Sequence, residues 1–142
     1  MFNQKNAEGY PDPTAAIAVE RVAKAEKPLK GYLPLVYVAS PFAGDMENNT
    51  QRARRYCRFV MSQGCIPFAP HLLYPQFLDD TDREERELGL FFGTAWICKC
   101  NELWVFGGNV SDGMAREITI AKRRGLPVRY FDAKCEEVNC DE

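Results

Sequence analysis

The chain has 142 residues, of which 46% are apolar, with nine Phe, six Tyr and two Trp and a formal net charge of -2. That is enough for one globular domain with a core, and it excludes a disordered chain. The charge offers no electrostatic basis for a nucleic-acid polymer or an anionic membrane surface, and no apolar run approaches the roughly 18 residues of a membrane span.

The N-terminus lacks the apolar core of a signal peptide, so a cytoplasmic protein is expected. Six cysteines, Cys57, Cys65, Cys98, Cys100, Cys135 and Cys140, share the chain with one histidine, His71. Cys98 and Cys100 are spaced C-x-C rather than C-x-x-C, and no paired zinc-ligand spacing exists. No metal is therefore expected, and no organic cofactor is implied. Cys57 and Cys98 fall in helical patterns, where a free thiol packs as a small hydrophobe.

Residues 1–32 form an extension: a helix over 12–26, capped near Thr14, with Ile17, Val19, Val22 and Ala23 as a modest apolar stripe, then a Pro- and Gly-bearing linker. The domain proper is expected over 33–133, followed by an acidic, loose tail over 134–142. Residues 34–39 are a β-branched and aromatic run suited to a buried strand. A turn-rich loop over 40–45 follows, then a helix from Thr50 to Gln63, capped by Asn48 or Asn49 and ended by Gly64. Its arginines, Arg52, Arg54, Arg55 and Arg58, read as a solvated face.

Residues 65–70 make a second short strand restricted by prolines, and 71–80 an aromatic loop. Thr81 or Asp82 caps a helix to about Lys99. Its first turns carry charged i,i+4 pairs, and Leu88, Phe91, Phe92, Ala95 and Trp96 are assigned to its buried side. Residues 102–106 are a third strand, ending at Gly107 and Gly108. The next helix is capped by Ser111 or Asp112 and closed by Gly125 and Pro127, before a fourth strand over 126–131.

Strand and helix alternating in this way predict a three-layer α/β fold. It is flavodoxin- or Rossmann-like, with a mostly parallel sheet of four to five strands and helices on both faces. Ligands of such sheets bind beyond the carboxyl ends of the strands, where the loops after the first three strands collect. Met114, Ile118 and Ala121 mark the inward face of the last helix, and Glu117 lies on that same face. A carboxylate turned inward near a helix start is costly unless something pairs with it or uses it. Either an arginine neutralises Glu117 or a ligand meets it.

The run from Tyr37 to Gly44, Y-V-A-S-P-F-A-G, resembles the opening motif of nucleoside 2-deoxyribosyltransferase-like proteins, and Ser111-x-Gly113-x-x-x-Glu117 is similar to the signature around that family's catalytic glutamate. The resemblance spans about residues 34–131 and looks closest to small bacterial and phage domains of the superfamily. It implies cleavage or transfer of an N-glycosidic bond, with Glu117 as nucleophile, Tyr37 orienting it, and an acid at the departing base. Asp45 is the first choice for that acid, Asp79 or Asp80 the next. A substrate-binding set of Ser40, Pro41, Phe42, Gly44, Asn49, Ser111, Asp112, Gly113 and Met114 follows from the same motifs. Ser111, six residues before Glu117, resembles the branch acting on nucleoside 5′-monophosphates, so a phosphorylated substrate held at the helix N-terminus is implied. Tyr74 and Phe77 are candidates to stack on the base.

Simpler readings stand beside these. Ser111 and Asp112 serve as caps in any case, Asp45 and Asn49 are ordinary turn and cap residues, and His71 is a loop residue. The expected partners are a nucleotide or nucleoside and, from the resemblance, further copies of the chain in a homo-oligomer. Two other functions compete with the enzyme: a silent module that binds or sequesters a nucleotide or nucleotide signal, and a phage or mobile-element accessory that assembles through the N-terminal helix.

Overall fold

Alternation along the two central strands fixes the layers. In β1 (Leu35–Ala39), Val36 and Val38 enter one core, and Tyr37 and Ala39 the other. In β3 (Glu102–Phe106), Trp104 and Phe106 face the first core, and Leu103 and Val105 the second. Both strands are buried on two sides, which is why they read as unbroken apolar runs. The structure, a computed structural model, describes residues 33–139. The helix expected over 12–26 and Cys140 lie outside the described residues.

The sheet has the order β2-β1-β3-β4-β5, with β2 at Ile66–Phe68, β4 at Val128–Phe131 and β5 at Glu137–Val138. The first four strands pair in parallel, and β5 runs antiparallel to β4. Helix α1 (Met46–Ser62) supplies Tyr56 and Val60 to the first core, together with Phe59. Helices α3 (Arg83–Ile97) and α4 (Asp112–Arg123) cover the other face through Ile97, Met114 and Ala121. A mostly parallel sheet lies between two helical layers, as the alternation of elements implies. Trp104, Tyr56 and Phe106 are fully buried, each worth roughly 1.5–3 kcal/mol by removal from water.

Four local expectations are corrected. Helix α1 begins four residues early: its cap is Asp45, whose carboxylate accepts from Asn48 N (3.3 Å) and Asn48 Nδ2 (2.6 Å), so neither asparagine caps it. The stretch expected as a loop after β2 contains a short helix, α2 (Pro70–Leu73), and a 3-10 turn (Tyr74–Gln76). On α3 the side expected to be buried is partly outward: Leu88 is 44% and Phe91 64% exposed, while Gly93 and Ile97 face the core. The tail is not simply loose, since Arg129 holds Glu137 through two hydrogen bonds of 2.9 and 2.8 Å and so docks β5.

The cysteine reading divides as well. Cys57 packs against the first core and burial pushes its thiol up to about 11, whereas Cys98 is exposed at the end of α3. Among the described residues no helix is long and apolar enough to cross a membrane, and no group of three His, Cys, Asp or Glu could hold a metal ion.

Candidate active site

A cavity of about 340 Å³ opens at the carboxyl ends of the strands, where the order turns from β1 to β3. Tyr37 reaches its floor from β1. The loop after β1 contributes Phe42 and Ala43, and the start of α4 contributes Ser111 to Met114. Helix α3 forms the opposite wall.

Tyr37 and Glu117, 80 residues apart, meet there. The phenol hydroxyl donates to Glu117 Oε2 over 2.6 Å, a length typical of a bond to an ionised oxygen. Burial raises the Glu117 carboxyl from 4.5 to about 7, against the Tyr37 hydrogen bond and the Arg116 charge, which both favour ionisation. Burial, with the Glu117 charge and hydrogen bond behind it, holds the Tyr37 phenol well above the ordinary tyrosine range, so it remains a donor. The ion pairs among the described residues join Arg83 to Glu87 and Arg129 to Glu137; no arginine neutralises Glu117. Its second oxygen, Oε1, bonds to no protein group there and is not sealed from solvent. Glu117 is therefore fixed through one oxygen and open through the other.

The start of α4 combines cap and wall. Ser111 Oγ accepts from Met114 N (3.3 Å), while Ser111, Asp112, Gly113 and Met114 all line the cavity. In the loop after β1, Phe42 lines the cavity and stacks on His71, with ring centroids 4.8 Å apart at 14°. Ser40, Pro41, Gly44 and Asn49 do not line it. Ser40 is buried, and its hydroxyl has no partner among the described residues. Gly44 is a turn residue at φ +94° with open space where a Cβ would be. Asn49 acts through the loop, donating from Nδ2 to the carbonyls of Phe42 (3.0 Å) and Ala43 (3.2 Å).

Asp45 is likewise absent from the cavity: its exposed carboxylate is spent on the start of α1, which removes the ground for placing an acid there. Of the alternative acids, Asp80 lines the cavity, whereas Asp79 faces out and accepts from Thr81. Tyr74 lines the cavity, anchored by Trp96 Nε1 donating to its hydroxyl (2.7 Å), but Phe77 is 62% exposed and stands outside.

Sequence reasoning missed the far wall. Arg86, Gly89 and Gly93 of α3 line it, and His71 of α2 lines the cavity beside Phe42. Burial lowers the His71 pKa, opposed by the Asp80 charge and a backbone hydrogen bond to Ser40, so the imidazole is neutral at pH 7. Two glycines four apart in one helix were the available signal, since each costs helix stability for some return.

A comparison with curated proteins finds no match. Among solved structures, the 2-deoxyribosyltransferase from the psychrotolerant bacterium Bacillus psychrosaccharolyticus is similar in fold, with a TM-score of 0.55 at 23% identity over 74% of this chain and 77% of that one. A family model described as a domain of unknown function, DUF7768, matches residues 34–131, and the chain belongs to that family.

Proposed function

We propose that this protein cleaves or transfers the N-glycosidic bond of a nucleoside 5′-monophosphate or a related nucleotide, with Glu117 as nucleophile. The observation that carries the proposal is the Tyr37–Glu117 bond of 2.6 Å on the wall of a 340 Å³ cavity, with no arginine among the described residues paired to the carboxylate. A carboxylate so held is preorganised for attack and stabilises oxocarbenium-like charge.

Glu117 Oε1 attacks the anomeric carbon as the bond to the base nitrogen breaks. The bonding pair leaves with the base, and Asp80, which lines the cavity, supplies the proton that neutralises it. Water or a second base then takes the sugar from the ester. The backbone N–H groups at the start of α4, with Arg116 beside them, suit a phosphate, and Phe42 and Tyr74 give the base apolar surface. A homo-oligomer belongs to the same proposal, and light scattering reads it.

The test is incubation with deoxynucleoside and ribonucleoside monophosphates and the free nucleosides, with released base measured by chromatography. Release fastest from a monophosphate, and lost by about a thousandfold or more in Glu117→Ala, is expected. Tight nucleotide binding without any base release would overturn the enzyme and leave the silent binding module.

A further inference from the structure

We propose that Gly93 is the positioning residue of the Tyr37–Glu117 pair: the hydroxyl of Tyr37 occupies the space that a side chain at position 93 would take. This rests on the reading of Glu117 as the reacting carboxylate, and gives a helical glycine a role in aiming it.

The geometry is one-sided. A Cβ built on Gly93 would lie 2.9 Å from Tyr37 Oη, closer than real Cβ contacts, and among the described residues would meet no other atom within 4 Å outside its own helix backbone and chain neighbours. Close packing of α3 on the sheet backbone therefore does not demand this glycine; the phenol oxygen alone does. Gly89, one turn earlier on the same wall, differs: its Cβ would make an ordinary contact of 3.5 Å with Leu78 Cδ1. Glycine inside a helix is the most costly residue after proline, and Gly93 lies deep in α3 and buried.

The hydroxyl has little room to yield. Tyr37 is fully buried on a central strand, its ring is rigid, and Phe68 packs beside it with centroids 5.8 Å apart. An added methyl must push Oη aside by a few tenths of an ångström, at the expense of its 2.6 Å bond to Glu117 Oε2. Gly93 lines the cavity but offers no functional group to the reacting atoms in this scheme. It acts through Tyr37.

The experiment is a carbon-13 NMR titration of the Glu117 carboxyl without substrate, its signal assigned by its loss in Glu117→Gln. It compares the native chain with Gly93→Ala, Gly89→Ala, Tyr37→Phe and the double variant Gly93→Ala/Tyr37→Phe. Because the Tyr37 hydrogen bond favours ionisation, Gly93→Ala should raise the carboxyl midpoint by about half a pH unit or more, and Tyr37→Phe should raise it likewise. Gly89→Ala should leave it in place. In the Tyr37→Phe background the oxygen is gone, so Gly93→Ala should add no further displacement and should raise Tm where it lowers Tm in the native chain.

An unmoved midpoint in Gly93→Ala overturns the proposal, as does an additive displacement in the double variant. If Gly93→Ala does not fold, the double variant decides: folding supports the proposal, and failure to fold overturns it. The titration needs no turnover, so its outcome is separate from base release, whose absence would sink the enzyme reading alone.

Discussion

Replacing Glu117 by Gln removes a charge from a half-buried site while keeping the shape of the side chain, and Tyr37 retains an oxygen to donate to. In the folded protein burial holds the carboxyl at about 7 against an ordinary 4.5. Between those pH values the native state keeps a proton that the unfolded chain has released. The unfolded state is therefore drawn down in free energy as pH rises, and stability falls. The favourable contribution is fully present below pH 4.5 and lost as pH climbs through about 7. Each pH unit of displacement is worth about 1.4 kcal/mol, so the whole effect is roughly 3 kcal/mol. Against a typical domain stability of about 5–15 kcal/mol, that is a large share.

Urea unfolding of the native chain and Glu117→Gln, from pH 4 to pH 8.5 in matched buffers, reads this directly. Subtracting the two stability curves cancels the groups common to both proteins. The difference should be small and flat near pH 4, grow in favour of the variant from about pH 4.5, and level off above pH 8. A difference that stays flat would show that Glu117 titrates as an exposed carboxylate. A variant less stable at pH 8 than at pH 4, relative to the native chain, would show the opposite sign, that of a carboxylate stabilised by a cation.

Tyr37→Phe should cost about 1–3 kcal/mol at pH 8, where it strands a buried carboxylate without its donor, and less at pH 4; the same unfolding series checks it. If base release is found, its kcat/KM should rise with pH along an acid limb near 7, since attack requires the ionised form; a limb near 4.5 would contradict the buried site. Asp80→Asn should slow release about a hundredfold for bases that leave poorly without a proton, and much less for good leaving groups, as a leaving-group series would read. Trp96→Phe removes the donor to Tyr74 and should lower stability by about 1 kcal/mol in thermal or urea unfolding.

The parallel sheet was legible because β1 and β3 are apolar on both faces and end in turn residues, so their length and boundaries are written locally. Glu117 was legible as a carboxylate among Met114, Ile118 and Ala121. Its partner was not, because nothing in helical spacing connects it to a tyrosine 80 residues away; only the resemblance joined them. The start of α1 was misplaced because Asp45, Asn48, Asn49 and Thr50 are all capping types in one short stretch. Tertiary demand decided among them by turning Asn49 inward to the Phe42 and Ala43 carbonyls. Helix α3 was only partly oriented, for a related reason: Trp96 stacks inward on Phe68 and Phe92 packs on Tyr74, whereas Leu88, Phe91 and Ala95 are exposed. Hydrophobic periodicity weighs side chains, and the face that meets β1 and the cavity is built around Gly89 and Gly93, which have none, while Leu88 and Phe91 make a conspicuous stripe that faces out.

That choice of partner bears on the chemistry. An arginine beside Glu117 would have engaged both carboxylate oxygens and held the group ionised but occupied. A phenol supplies one donor, binds one oxygen and leaves Oε1 without a bond among the described residues, on a side chain that lines the cavity. Burial raises the carboxyl toward neutrality, and the hydrogen bond, with the Arg116 charge behind it, limits the rise to about 7, so an ionised fraction persists at neutral pH. Deeper burial without Tyr37 would protonate the group; a full ion pair would quench it. The site lies between those extremes because a tyrosine on a central strand can extend across a helix that has no side chain in its way.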